Sequence, residues 1–251
     1  MKAVFTCGGT GGHINPALAV ARVLLERRPD SEILFVGAED GMEATLVPRE
    51  GFRLETLQIS SYMRSLKPSA IRHNVRAALS IRRALKKADR IIRDFQPDVI
   101  LGTGGYASYP MLHEGARLGI PTAVHESNAV PGLATKMVAD KVDRILVSFA
   151  DSRSAYRDPS RVIAVGMPVR EEFVFTRRAD ARRALGLDEK TPMIVSAWGS
   201  LGAREMNKKI AQFMKLECEQ DCWRHIHATG SFGWRWMPDY VKEQGVEREK
   251  H

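Results

Sequence analysis

Three times along this chain a short apolar strand runs into a glycine cluster and then into a helix. That repeated unit points to an open α/β sheet. Lys2 to Cys7 leads into Gly8-Gly9-Thr10-Gly11-Gly12-His13-Ile14-Asn15-Pro16 and a helix rich in alanine, valine and leucine. Asp98 to Leu101 leads into Gly102-Thr103-Gly104-Gly105-Tyr106, and Met193 to Trp198 into Gly199-Ser200-Leu201-Gly202-Ala203. Glycine lets backbone N–H groups approach an anion with no Cβ in the way, and a helix N-terminus adds partial positive charge. The first loop misses the dinucleotide fingerprint, because counting from Gly9 the third glycine position is Ile14, and it lacks the Gly-Lys-Ser/Thr ending of a P-loop. The same glycines would also serve tight strand–helix packing. Three such loops in one chain argue for more than one phosphate group to hold.

The rest of the chain keeps the alternation. Glu32 to Gly37, Arg53 to Ile59, Val99 to Leu101, Thr122 to His125, Arg144 to Phe149 and Val162 to Val165 read as strands. Helical patterns separate them at Gly41 to Arg49, Ser69 to Phe95, Pro110 to Leu118 and Leu133 to Ala139. Short strands alternating with helices predict parallel pairing through βαβ crossovers, so the fold class is α/β with a doubly wound parallel sheet. After Gly166-Met167-Pro168 and a polar helical stretch, a second unit of the same kind starts at Met193. The expected domains are therefore residues 1–166 and 167–251, the second incomplete.

No apolar run approaches the roughly 20 residues of a membrane-spanning helix. Met1-Lys2-Ala3-Val4-Phe5 passes directly into the first glycine loop, so no leader peptide is expected. The three cysteines offer no disulfide framework, consistent with a reducing cytoplasm. Cys218, Cys222, His225 and His227 do not match a zinc spacing and read as structural, with no metal expected. The net charge of +8 is concentrated between Arg64 and Arg93, where ten cations face one anion, Asp89. Little aromatic interleaving accompanies that charge, which argues against a nucleic-acid partner.

Several side chains at these loops have chemistry to offer. His13, a histidine directly after the glycine turn, can serve as a general base, or it can cap its own helix. Glu126 and Asn128 follow the fifth strand at the ligand-bearing edge of the sheet, where a carboxylate can act as a base, hold a sugar hydroxyl or cap the next helix. Arg170 can grip phosphate bidentately or sit in a surface salt bridge.

Five motifs in order closely resemble those of the MurG-like bacterial glycosyltransferases. They are the run Gly9 to Pro16, Gly104-Gly105-Tyr106, His125-Glu126-Ser127-Asn128, Gly166-Met167-Pro168-Val169-Arg170 and Gly199-Ser200-Leu201-Gly202-Ala203. These enzymes add N-acetylglucosamine to undecaprenyl-linked muramoyl-pentapeptide (lipid I) to give lipid II in peptidoglycan synthesis. The resemblance reaches about Gly230 and implies the GT-B arrangement of two Rossmann-type domains facing a cleft. It implies His13 as the base, while Glu126 stays a second catalytic candidate on its position after the fifth strand. Thr10, Gly11, Gly12, Asn128, Arg170 and Ser200 would hold the donor UDP-N-acetylglucosamine. Gly104, Gly105 and Tyr106 would cradle the acceptor pyrophosphate. No cofactor is implied beyond the substrates. Trp198 stands where the family has a glycine.

An acceptor carried on an undecaprenyl chain stays in the bilayer, so the resemblance places the protein peripherally on the cytoplasmic membrane face. The basic segment then becomes a docking face, with Arg72, Arg76, Arg82, Arg83, Lys86 and Lys87 on anionic lipid and Tyr62, Met63 and Leu66 dipping into the interface. The stripe Ile71, Val75, Ala78, Leu85, Ala88 and Ile92 would pack inward. The other reading is a non-catalytic acceptor-binding and membrane-docking module that needs a separate donor-binding partner.

Overall fold

The computed structural model describes residues 1–60, 68–220 and 223–246, with the backbone alone at 68–76, 78 and 79. It consists of two compact units, Met1–Val174 and a second from Phe175 onward.

In the first unit, strands β1 (Lys2–Thr6), β2 (Glu32–Ala38), β3 (Arg53–Leu57), β4 (Val99–Gly102), β5 (Thr122–Glu126), β6 (Arg144–Val147) and β7 (Val162–Ala164) form one sheet in the order β3-β2-β1-β4-β5-β6-β7. Every pairing is parallel. Helices α1 (Gly11–Arg27) and α2 (Glu43–Arg49) cover one face, while α3 (Pro68–Phe95), α4 (Ser108–Arg117) and α5 (Leu133–Val138) cover the other. Both faces are buried, so the strands read as nearly continuous apolar runs whose successive residues enter different cores. Ala3 and Phe5 pack with Ile14, Ala17, Leu18 and Val47, whereas Val4 packs with Ala84, Ala88, Ile92 and Met111. Phe5 stacks on Phe35 with ring centroids 5.3 Å apart.

The strand order sets where a ligand can bind. The chain leaves β1 toward α1 on one face and leaves β4 toward α4 on the other, so the two neighbouring strands diverge at their carboxyl ends and open a crevice.

Helix α3 differs in detail from the expected stripe. Among its described side chains Ala77, Ala84, Ala88, Ile91 and Ile92 are buried, and Leu85 is only half-buried. Alanines let α3 lie close to α4, and Arg117 of α4 ties the two helices together by donating to Asp89 at 2.5 Å, a carboxylate that also accepts from Arg93 of its own helix at 2.8 Å. The side chains of Ile71, Val75 and Ala78 lie outside the described residues.

Helix α6 (Glu171–Phe175) spans the division between the units, which falls after Val174. In the second unit α7 (Arg178–Ala184), α8 (Arg204–Gln220) and α9 (Met237–Glu243) accompany a parallel pair, β8 (Met193–Ala197) and β9 (Arg224–Ala228). Ala211, Met237, Val241 and Val246 form its small core. His225 and His227 lie in a hydrogen-bonded cluster. Ser196 Oγ lies 2.7 Å from His225 Nε2 and 2.8 Å from His227 Nδ1, and Glu217 holds His225 Nδ1 at 2.7 Å. Every ring nitrogen of the pair has a protein partner, since His227 Nε2 meets Asn207 Oδ1 at 3.2 Å. Cys222 lies outside the described residues.

Candidate active site

The loops after β1 and β4 meet at the crevice, and glycine is what lets them meet. Gly104 and Gly105 have φ of +102° and +81°, backbone that side-chain-bearing residues rarely adopt. A Cβ on Gly104 would lie 2.9 Å from His13 Cδ2, and one on Gly105 would run into the Gly8 carbonyl. The His13 ring therefore rests on the backbone of the second loop. Its Nδ1 is 3.0 Å from Gly8 O. A carbonyl only accepts, so Nδ1 must carry the proton, and in the neutral ring Nε2 keeps its lone pair. Thr103 Oγ1 donates to the His13 carbonyl at 2.6 Å and ties the start of α1 to β4.

A cavity of about 290 Å³ opens at this point. Its lining brings together His13, Gly104, Gly105, Tyr106, Glu126 and Asn128, six residues singled out from sequence. Ile59, Ile81, Tyr109, Leu133 and Met137 form an apolar side wall that sequence reasoning did not find. These residues carry no motif and come together only through the crossover of α3 and the placement of α5. Burial, then the charges of Glu43 and Asp40, push the Tyr106 hydroxyl above its ordinary value, so it stays a donor.

Glu126 is buried, 3% exposed, and committed to its own loop. Its Oε1 accepts from the Asn128 amide at 2.9 Å and from Asn128 Nδ2 at 2.7 Å; its Oε2 accepts from the Gly132 amide at 2.9 Å and from Thr135 Oγ1 at 2.6 Å. Burial alone would push this carboxyl up, but these four hydrogen bonds outweigh it and hold the group below the usual range. A carboxylate with four donors has its lone pairs filled and makes a poor base. The geometry gives it a different job from the catalytic one read in the sequence: it shapes the 126–135 loop and aims Asn128. His125, one residue before, belongs to the core; its Nε2 meets the Gly166 carbonyl at 3.0 Å, and burial keeps it below its ordinary pKa.

The other sequence candidates are spread more widely. Thr10 is the N-cap residue of α1, with Gly11 and Gly12 in its first turn, where no acidic side chain opposes an anion. None of the three lines the 290 Å³ cavity. Arg170, in the segment after β7, lies over the Phe173 ring at 5.3 Å. Ser200 belongs to the second unit, where its carbonyl accepts from the Ser231 amide at 2.9 Å. Arg82, Arg83, Lys86 and Lys87 are exposed on α3, and none is paired with a carboxylate among the described residues. Three of them line a groove of about 470 Å³ together with Arg53 and Arg90, the carboxylates Glu55 and Asp94, and the apolar Leu34, Ile91 and Phe95. The side chains of Arg72 and Arg76, and residues Tyr62, Met63, Arg64, Leu66 and Lys67, lie outside the described residues. Among the described residues no helix is long and apolar enough to cross a membrane.

Residues 3–147 match the glycosyltransferase family 28 N-terminal domain. A relative from Acetivibrio thermocellus, named UDP-N-acetylglucosamine–N-acetylmuramyl-(pentapeptide) pyrophosphoryl-undecaprenol N-acetylglucosamine transferase, is 39% identical over 92% of this chain and 61% of its own length. A relative of the same name from Caldanaerobacter subterraneus is 37% identical over 98% of this chain and 66% of its own. The chain thus spans about three fifths to two thirds of these relatives. The crystal structure of MurG from Acinetobacter baumannii superposes with a TM-score of 0.63 over 96% of this chain and 63% of that one, at 23% identity, a likeness of fold.

Proposed function

The chain belongs to glycosyltransferase family 28 through its N-terminal domain, and on that premise we propose that it supplies the acceptor side of an N-acetylglucosaminyltransferase. The reaction is transfer of N-acetylglucosamine from UDP-N-acetylglucosamine to undecaprenyl-pyrophosphoryl-N-acetylmuramoyl-pentapeptide, with inversion at the transferred carbon. The observation that carries this reading is the cavity in which His13, Gly104, Gly105, Tyr106 and Asn128 meet.

Such a transfer needs a deprotonated acceptor hydroxyl, an oriented donor and a stabilised leaving pyrophosphate. The unprotonated Nε2 of His13 takes the hydroxyl proton as the oxygen attacks the sugar carbon from the side opposite the leaving UDP. Gly104 and Gly105 present backbone to the acceptor pyrophosphate, and Tyr106 adds a hydroxyl donor. Asn128, aimed by Glu126, meets the donor sugar. Thr10, Gly11 and Gly12 at the start of α1, Arg170 and Ser200 take the donor phosphates. Residues 1–166 serve the acceptor and the membrane, and residues 167–251 begin the donor side. Arg82, Arg83, Lys86 and Lys87 dock the protein peripherally on the anionic cytoplasmic face of the membrane, where the lipid-linked acceptor resides.

The test uses the chain joined to the remaining donor half of a relative, with a short-prenyl acceptor. His13→Ala should lower turnover by about 10²–10⁴-fold, the usual contribution of a general base, with little change in donor affinity. Turnover within twofold of the parent would remove His13 from the chemistry.

A further inference from the structure

Glu43, the first residue of α2, is 0% exposed, and no motif discussed above uses it. Its Oε1 accepts the Ala38 amide at 2.7 Å, and its Oε2 accepts the Gly9 amide at 3.2 Å. Glycines make the space it occupies. A Cβ on Gly8 would lie 2.7 Å from Oε1, one on Gly37 would lie 3.1 Å from the same atom, and one on Gly41 would run into the carboxyl group. Both oxygens accept from backbone N–H groups, which a carboxylate does naturally. An amide in its place would turn its own N–H₂ toward one of those donors.

The Gly9 amide and the Gly8 carbonyl belong to one peptide unit. Its N–H faces Glu43, and its C=O faces His13 Nδ1 at 3.0 Å. We propose that Glu43 is the positioning residue of this site, acting through the Gly8–Gly9 peptide to orient the His13 ring and fix its tautomer. The carboxylate holds the N–H end of the peptide, which prevents the plane from rotating. A hydrogen bond at the N–H end also strengthens the carbonyl as an acceptor, because linked hydrogen bonds polarise one another. Carboxylate, peptide and imidazole thus form a line that ends at the free Nε2. Only the description of His13 as a base rests on the transferase reading; the relay itself does not.

The test needs no substrate. In the 251-residue chain, histidine ring nitrogens are assigned by ¹⁵N–¹H correlation spectroscopy above pH 8, with the protein's other histidines as internal controls. Wild-type His13 should carry its proton on Nδ1. Glu43→Gln should raise the Nε2–H form and speed exchange of the Gly9 amide by about fivefold, the equivalent of the ~1 kcal/mol of one hydrogen bond. The signals of His225 and His227, in the other unit, should stay in place. An unchanged His13 tautomer in the variant, or an Nε2–H tautomer already in the wild type, would overturn the proposal. If Glu43→Gln does not fold, Glu43→Asp, one methylene shorter, should lose one of the two amide bonds and give the same His13 response; an unmoved His13 there would also overturn it. An intact relay in an enzyme whose turnover ignores His13 would count against the transferase mechanism alone.

Discussion

Gly105 and Gly51 provide a matched pair for weighing how the two glycine loops touch. Their φ values are +81° and +82°, so alanine brings the same backbone strain to both, about 1–2 kcal/mol. The unfolded-state effect of losing glycine is also shared and cancels in the comparison. The surroundings differ. A Cβ on Gly51 meets nothing within 4 Å, whereas one on Gly105 collides with the Gly8 carbonyl. That carbonyl is backbone, held from one side by His13 and from the other through the peptide that Glu43 grips, so it has little room to yield. Overpacking of this kind costs about 1–3 kcal/mol. Gly105→Ala should therefore be less stable than Gly51→Ala by ~1–3 kcal/mol, which lowers the urea midpoint by about 0.5–1.5 M for a slope near 2 kcal/mol/M. All four tryptophans (Trp198, Trp223, Trp234 and Trp236) lie in the second unit, so their fluorescence cannot follow this loss. Cys7, buried at 1% exposure beneath the loop, can. Mass-spectrometric detection of Cys7 alkylation in rising urea reports the opening of the first unit directly. Equal midpoints for the two variants would refute the claim that the Gly8 and Gly105 backbones are in contact.

Two further outcomes follow from the site and its surface. The folded-state pKa of Glu126 lies below its unfolded value, so its stabilising contribution is full above about pH 4.5, the ordinary carboxyl value, and is lost as pH falls through the depressed folded value. The stability gap between wild type and Glu126→Gln, measured by urea midpoints, should accordingly be wide at pH 7 and shrink progressively as the pH is lowered below about 4.5; a constant gap would mean the four hydrogen bonds do not favour the charged form. Binding to vesicles of acidic phospholipid should weaken as salt shortens the Debye length from about 10 Å at 0.1 M to about 3 Å at 1 M. It should weaken again when Arg82, Arg83, Lys86 and Lys87 become glutamine, and equal binding to zwitterionic vesicles would leave α3 a merely solvated face.

Local pattern was enough for the elements and for much of the site. The strand–glycine–helix units are short-range features, and an apolar run of five residues ending in glycines carries its own instructions. His13, Gly104, Gly105, Tyr106 and Asn128 were legible for the same reason, because each lies in or just beyond the loop that follows a strand. Which loops become neighbours is a different matter. Strand order depends on where the α3 crossover lands, and that places β4 beside β1 and the second glycine loop against the first. Only then does the His13 ring acquire Gly104 as its floor and Ile81 and Met137 acquire a cavity to line. The carboxylates show the limit most clearly. By sequence Glu126 is the acid beside the site, yet folding surrounds it with four donors from its own loop. Glu43, thirty-four residues from Gly9 along the chain, is the one whose oxygen reaches the first glycine loop. A buried charge goes where N–H donors can meet it, and those donors are assembled by the packing of β1, β2 and α2, which no local pattern encodes.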